Sequence, residues 1–287
     1  MTRWLVTGAH GMLGRDLVAV LRDYGDVTAA GRSRLDITDP DLVAAAVPGH
    51  DVVVNAAGWT DVDGAEAAEE AATAVNGHAV AHLARACAAA GAKLVQISTD
   101  YVFSGDATEP YPEDAEPAPI NAYGRSKLVG EQAVKKLLPD SGYIVRTAWL
   151  YAPHGRNFVT TMLRLARERE TVAVVTDQRG QPTWTRELAR QVAALGEAAL
   201  RGSAPPGIYH GTATGQTTWY GLARAVFTVA GLDPTRVRGV TSEAHRRPAA
   251  RPAYSVLRHD RWRLAGVPLQ GIWRDQLIAA LAGPAGP

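Results

Sequence analysis

The sequence predicts an α/β fold on a Rossmann-type doubly wound parallel sheet, and three observations carry that prediction. Short apolar runs alternate with segments of helical period through the first half, at the density of strand–helix–strand units. The first run ends in Gly8-Ala9-His10-Gly11-Met12-Leu13-Gly14, a glycine turn that opens a helix. The fourth ends in the small hydroxyls Ser98-Thr99, at the kind of strand end where open parallel sheets bind ligands.

Taken in order, Trp4-Leu5-Val6-Thr7 reads as a buried strand, after which Leu13, Leu17, Val20 and Leu21 recur at helical spacing. Glycines in such a turn let the backbone approach a pyrophosphate, and the helix N-terminus adds free N–H groups. The spacing is GxxGxxG rather than GxGxxG. Val27-Thr28-Ala29-Ala30 forms the second strand and ends in Gly31-Arg32, where NAD-binding folds carry an acid for the ribose hydroxyls. An arginine suits the extra phosphate of NADP, so NADPH is the expected cofactor, with NADH as the alternative, and Arg32 the candidate phosphate ligand. A basic surface turn is the plainer reading of the same residues. Asp36 comes too late to be the ribose acid; Asp36-Ile37 is assigned to the adenine end.

Asp39-Pro40 supplies an N-cap and an N1 proline for a short helix to Val47. Asp51 to Asn55 is the third strand, followed by Ala56-Ala57-Gly58-Trp59-Thr60, whose small residues suit a backbone passing close to a cofactor. The alanine-rich stretch Ala65 to Ala90 reads as helix, broken near Val75-Asn76-Gly77. Lys93 to Ile97 is the fourth strand. Glu109 to Pro119 holds four prolines and four acids and reads as a rigid, solvated loop. A core strand is expected at Tyr143–Thr147, helices at Phe158–Arg169, Thr185–Leu200 and Trp219–Ala230, and short strands at Val172–Val175 and Ile208–His210. Crossovers should be right-handed. Arg246, Arg247 and Arg251 sit among prolines, either as a phosphate clamp or as a solvated basic face. The tail Gly283–Pro287 is expected to fray.

Composition narrows the function classes. A chain of 287 residues buries a substantial core, and a formal net charge of +1 gives no polyanion-binding surface, so no nucleic-acid partner is expected. The single cysteine, Cys87, excludes an intramolecular disulfide and suits a reducing compartment; its alanine-rich surroundings predict a buried, inert thiol. No secretory h-region follows Met1-Thr2-Arg3, and charged residues interrupt every apolar stretch before membrane-spanning length. A cytoplasmic protein with no membrane partner is the simplest expectation.

Asn121-Ala122-Tyr123-Gly124-Arg125-Ser126-Lys127 is the stretch with the most chemistry. On a helix Tyr123 and Lys127 share a face. A phenol titrates near pH ~10, and an adjacent cation is expected to lower that value toward the range of efficient proton transfer.

With the glycine turn, the Ser-Thr strand end and the Tyr-Lys helix in sequence, the chain resembles an extended short-chain dehydrogenase/reductase. VTGAHGMLG, NAAGWTDVDGAE, STDYVFSG, YGRSKLVGE, RTAWLYAP, NFVTTML, DQRGQPTW and RPAYSVL resemble, in order, the blocks of the dTDP-4-dehydrorhamnose reductase family. The resemblance implies a dinucleotide-binding domain over residues 1–150, with some later segments returning to it, and a smaller, mostly substrate-binding C-terminal lobe over 151–287. It places Gly8, Gly11, Met12 and Leu13 under the pyrophosphate and Gly58, Trp59 and Thr60 along the cofactor. Thr99 would bond the substrate carbonyl, Tyr123 would donate the proton, and Lys127 would support Tyr123 and hold the nicotinamide ribose. Asp100, Trp149, Asn157, Gln181 and Arg251 would join Thr99 against substrate. Gly58-Trp59 departs from the family's common alanine and histidine or tyrosine, and Gly31-Arg32 from an acidic strand end seen in some members.

The implied reaction is NAD(P)H-dependent reduction of the C4 ketone of a 4-keto-6-deoxy nucleotide sugar, foremost dTDP-4-dehydro-L-rhamnose to dTDP-L-rhamnose. The expected partner is thus a dTDP-linked sugar, with the chain a monomer or homodimer and no metal. A different deoxysugar 4-ketoreductase is the near alternative. A superfamily dehydratase fits less well, because such enzymes follow the catalytic Thr with an acid pair whereas Thr99 precedes Asp100-Tyr101. A non-catalytic regulatory subunit is the alternative of another class; the chain distantly resembles that of methionine adenosyltransferase. Intact Thr99, Tyr123 and Lys127 argue against it.

Overall fold

The computed structural model describes residues 1–244 and 246–283; of the tail expected to fray, 284–287 lie outside the described residues. The first half lays down β1 (Thr2–Thr7), α1 (Met12–Leu21), β2 (Gly25–Ala30), α2 (Pro40–Ala46) and β3 (Val52–Asn55). Then come α3 (Val62–Ala67), α4 (Glu69–Thr73), α5 (Ala79–Ala90), β4 (Lys93–Thr99), α6 (Ala122–Leu137) and β5 (Gly142–Thr147). β5 pairs with a later strand, Gly207–His210. The six-stranded sheet runs Gly207–His210, β5, β4, β3, β1, β2, and every neighbouring pair is parallel. The chain leaves β1 for β2 on one side and returns to β3 on the other. A crevice opens at such a switch point, beyond the carboxyl ends of the strands.

Strand alternation produces the two helical layers. Trp4, Val6, Val52, Val54, Val95 and Val145 meet Leu17, Leu188 and Val192 on one face. Leu5, Val53, Leu94 and Ile144 meet Val43, Leu83 and Val134 on the other. Burial on both faces is why these strands read as unbroken apolar runs. Cys87 is buried in the second layer, and that burial pushes its thiol up to about 12.

The later helices are α7 (Phe158–Glu168), α8 (Thr185–Leu200) and α9 (Trp219–Val229), followed by helices at Arg261–Leu264 and Trp273–Ala282. α8 packs on the sheet beside α1. α7, α9 and Trp273–Ala282 instead enclose a separate core of Val159, Met162, Leu222, Phe227 and Leu277. No helix among the described residues is long and apolar enough to cross a membrane.

Two local expectations need correction. The helix does not break at Val75-Asn76-Gly77; Ala74–His78 forms a π-helical turn between α4 and α5. Interruption falls earlier, at Ala68. The loop Glu109–Pro119 is not wholly solvated either. Glu113 is buried, where it accepts from the Arg261 backbone N–H at 3.0 Å, and burial raises its pKa.

Candidate active site

A cavity of about 770 Å³ follows the carboxyl ends of β1 to β5, within the size range of small-molecule sites. Its floor is the glycine turn. Gly8 adopts φ +64°, and a Cβ there would lie 2.6 Å from the Ala57 nitrogen. The turns after β1 and β3 therefore meet backbone to backbone, which only glycine permits. Gly11, Met12, Leu13, Gly58, Trp59 and Thr60 line the same floor. At one end the lining includes Arg32, Asp36 and Ile37. The Arg32 side chain is 87% exposed and sits 3.3 Å from the Asp36 carboxylate. Asp36 also accepts from the Thr38 N–H and hydroxyl, and these bonds hold its carboxyl below the usual range.

Asn76 holds the loop after β3. It accepts from the Trp59 N–H at 2.9 Å and donates to the Trp59 carbonyl at 3.1 Å and the Ser126 hydroxyl at 2.9 Å. The π-helical turn thus points an amide from the helix before α5 into the gap between the cofactor-side loop and α6. Such turns recur at functional sites.

The chemistry gathers where β4 meets α6. Asn121 caps α6 by accepting from the Gly124 N–H, which sets Tyr123 in the first turn and Lys127 one turn on. A Cβ on Gly124 would lie 2.1 Å from the Tyr101 carbonyl oxygen, so glycine brings the helix down onto the short 3₁₀ turn Asp100–Val102. The Thr99 hydroxyl accepts from the Tyr101 N–H and donates to Asp100 Oδ1, both at 3.1 Å. Thr99, Asp100, Tyr123 and Lys127 all line the cavity.

Electrostatics at this corner differ from the expectation. Burial pushes the Tyr123 phenol up to about 12; the Thr99 hydroxyl pulls against that rise and the Asp100 carboxylate adds to it. Lys127 does not lower it. Its Nζ donates to the Ile97 carbonyl at 2.7 Å, and burial brings its pKa down to about 8 against the opposing Glu131 carboxylate. Helical spacing puts the two residues on one face but does not set where the long lysine side chain ends. Asp100 is 2% exposed, and burial raises its carboxyl to about 7 against the pull of the Ser255 and Thr99 hydroxyls.

Beneath lies a buried ion pair. Arg146 on β5 donates bidentately to Glu131 on α6 at 2.9 and 2.7 Å, and the Ser98 hydroxyl donates to Glu131 at 2.6 Å. The pair is closed to solvent on both sides.

The opposite wall is aromatic. Trp149 holds φ +47°, a rare conformation for a bulky residue, and stacks on Trp219 with centroids 3.7 Å apart and planes 9° from parallel. Phe158 packs against Trp219 with centroids 4.6 Å apart. Asn157 lines the cavity while capping α7, accepting from the Thr160 N–H and donating to the Ala152 carbonyl. Gln181 and Arg251 are not among the lining residues. Gln181 is 2% exposed and bonds Leu257 and Thr212. Arg251 spends its guanidinium on Asp63, which holds that carboxyl down to about 2.

The family model of the RmlD substrate binding domain matches residues 2–283. The chain belongs to this family. As an RmlD-type chain it is 56% identical to a dTDP-4-dehydrorhamnose reductase of Streptomyces griseus over 99% of its own length and 95% of the relative's. It is 53% identical to a dTDP-4-keto-6-deoxy-D-glucose reductase of Streptomyces niveus, over 97% and 96% of the two chains. Among solved structures, dTDP-4-dehydrorhamnose reductase from Bacillus anthracis in complex with NADP superposes with a TM-score of 0.92. That chain is 39% identical, and the match covers 98% of this chain and 99% of the other.

Within this RmlD-type site, sequence reasoning overlooked Asn76, Glu131, Arg146 and Trp219. An asparagine inside an alanine-rich helix and a glutamate one turn beyond Lys127 were signals for the first two. Trp219 had none, because its partner Trp149 is 70 residues away.

Proposed function

We propose that the chain reduces the C4 ketone of a dTDP-linked 4-keto-6-deoxy sugar with NADPH, foremost dTDP-4-dehydro-L-rhamnose to dTDP-L-rhamnose. The observation that carries this reading is the meeting of Thr99, Tyr123 and Lys127 on the wall of a cavity whose floor is the Gly8–Gly58 cradle. A dinucleotide suits this floor because glycine at position 8 lets the turn after β1 pack backbone to backbone against Ala56-Ala57, which leaves the N-terminus of α1 to receive a pyrophosphate. Gly8, Gly11, Met12 and Leu13 would hold the pyrophosphate, Arg32 the extra phosphate, and Lys127 the nicotinamide ribose. When bound, the cofactor supplies the hydride.

The residues of this chain supply the rest. Tyr123 donates its phenolic proton to the oxygen that develops negative charge, and Thr99 supports that oxygen. Reduction requires the phenol to be protonated beforehand, and burial secures that. Trp149 and Trp219 form an apolar wall that excludes water from the sugar. We further assign cofactor binding mainly to 1–150 and sugar binding mainly to 151–287, with Arg251 acting on substrate only by leaving Asp63. We place the reaction in the cytoplasm, carried out by a monomer or homodimer.

A second reading is reduction of a different 4-keto-6-deoxy sugar. The Streptomyces niveus relative bears such a name, and Gly58-Trp59 departs from the family's common residues at the cavity floor. The test is NADPH and NADH oxidation against a panel of dTDP-4-keto-6-deoxy sugars, with C4 configuration read by NMR. Oxidation only with a sugar other than the dehydrorhamnose selects the second reading, and oxidation with none removes both.

A further inference from the structure

We infer that Gly180 and Trp219 are positioning residues, which clamp the Trp149 indole between them and thereby orient the sugar for reduction. The inference rests on the reductase reading above and deepens it. Among the described residues Trp149 alone, glycines apart, holds a positive φ. Strain of that kind persists only where neighbours over-determine it, and two neighbours do. The Trp219 ring covers one face of the indole, with centroids 3.7 Å apart. A Cβ on Gly180 would lie 2.6 Å from Cε2, 2.7 Å from Cζ2 and 2.8 Å from Nε1 of the same indole. Near-equal distances to three adjacent ring atoms put the glycine over a face of the ring rather than at its edge. No Trp219 atom comes as near to that Cβ, so glycine and tryptophan cover opposite faces.

Backbone conformation does not explain the glycine. Gly180 is not among the residues with positive φ, so an L-residue could adopt its geometry; the indole above it is what excludes a side chain. The two sides of the clamp are joined to each other. Gly180 pairs with Thr217, and Arg179 with Thr218, in a short antiparallel ladder. Thr218 then caps α9 by accepting from the Gly221 N–H at 3.0 Å, and Trp219 is the first residue of that helix. The width of the slot is therefore set by backbone pairing. The Trp149 carbonyl accepts from the Thr183 N–H at 3.3 Å, which ties the base of the indole to the segment that carries Gly180. With both faces covered, the indole presents an edge to the cavity that it lines with Trp219. Trp149 stands two residues beyond Thr147, the β5 partner of Thr99, so a swing of the ring reshapes the wall beside the Thr99 corner. Misplacing a bound reactant in this way lowers the rate more than the affinity.

The test compares the full-length wild type with Trp219→Ala, Trp219→Phe, Gly180→Ala and the double alanine variant. Three quantities are read: kcat with the dTDP-4-keto-6-deoxy sugar that the wild type reduces, calorimetric binding of dTDP and of NADPH, and the exciton couplet of the stacked indoles in circular dichroism. Trp219→Ala and Gly180→Ala should each abolish the couplet and lower kcat roughly ten- to a hundredfold. Affinity for dTDP and NADPH should stay at its wild-type value in both. Trp219→Phe should keep most of kcat, because a flat ring still covers the indole. The double variant should be no slower than the slower single one, since an indole freed on one side is no longer held by the other. Unchanged kcat despite a lost couplet overturns the positioning role, as does a parallel loss of dTDP and NADPH affinity, the mark of a merely structural contact. A couplet retained in Gly180→Ala overturns the part assigned to the glycine. Each of these failures leaves the reductase reading intact, whereas a wild type that reduces no such sugar removes that reading and the clamp's role together.

Discussion

Lys127 donates from Nζ to the carbonyl oxygen of Ile97 at 2.7 Å, so β4 rather than the Tyr123 phenol fixes the ammonium. Its pKa of about 8 lies below the ordinary 10.5 because burial disfavours the charged form. Below pH 8 the ammonium is present for its proposed hold on the cofactor ribose, and above it the charge is lost. The rate should therefore fall as pH rises through about 8. Lys127→Met should weaken NADPH binding and remove this alkaline limb from the kcat/KM profile. An unchanged limb in the variant would assign it to another group.

Tyr123→Phe removes the phenol proposed as proton donor and little volume. The expected outcome is a loss of kcat on the order of 10²–10⁴ with NADPH affinity retained. The measurement is steady-state turnover beside equilibrium cofactor binding. A variant turning over at near-normal rate would mean that the proton comes from elsewhere.

Thr99→Val keeps shape and removes the hydroxyl that bonds Asp100 and caps the Asp100–Val102 turn. If Thr99 is the proposed donor to the developing oxyanion, its loss should cost about 10²–10³ in kcat. Thr99→Ser should restore most of it. If serine fails where threonine works, the γ-methyl group's packing rather than the hydroxyl carries the effect.

The parts of the site legible in the sequence are those set by local geometry. Gly8 to Gly14 and Asn121 to Lys127 each carry their turn or cap within a few residues, and the strand ends follow from apolar runs buried on both faces. The Asn76 amide, the Trp149–Trp219 stack and the Arg251–Asp63 pair each depend on residues brought together by the sheet order. Gln181 shows the opposite failure: a residue in a family-like block whose amide is spent on Leu257 and Thr212. The Tyr123 pKa escaped for the same reason, because burial and the Ile97 carbonyl are tertiary facts.

Asp100 should make stability depend on pH in an uncommon direction for a carboxylate. Its folded value of about 7 exceeds the ordinary 3.8, so the folded chain holds the proton more tightly. That contribution is full below about pH 4 and is lost as pH rises through 7. Urea midpoints of the wild type should accordingly carry a fall between pH 4 and 8 that Asp100→Asn lacks. Parallel curves for the two proteins would show that Asp100 is ionised throughout.

The Arg146–Glu131 pair couples stability to the site above it. Both side chains are shut away from solvent, so Glu131→Gln leaves a guanidinium buried without its counter-charge, a change expected to cost about 3–5 kcal/mol in urea unfolding. Replacing both by methionine should cost less, because no uncompensated charge remains. The same glutamate opposes the fall in the Lys127 pKa. Glu131→Gln should therefore move the alkaline limb to lower pH in whatever fraction stays folded, while the double methionine variant shows the same displacement with better stability. A limb that stays at its wild-type pH in both variants would show that Lys127 is charged independently of the pair, and that Glu131 serves only to hold Arg146 and Ser98.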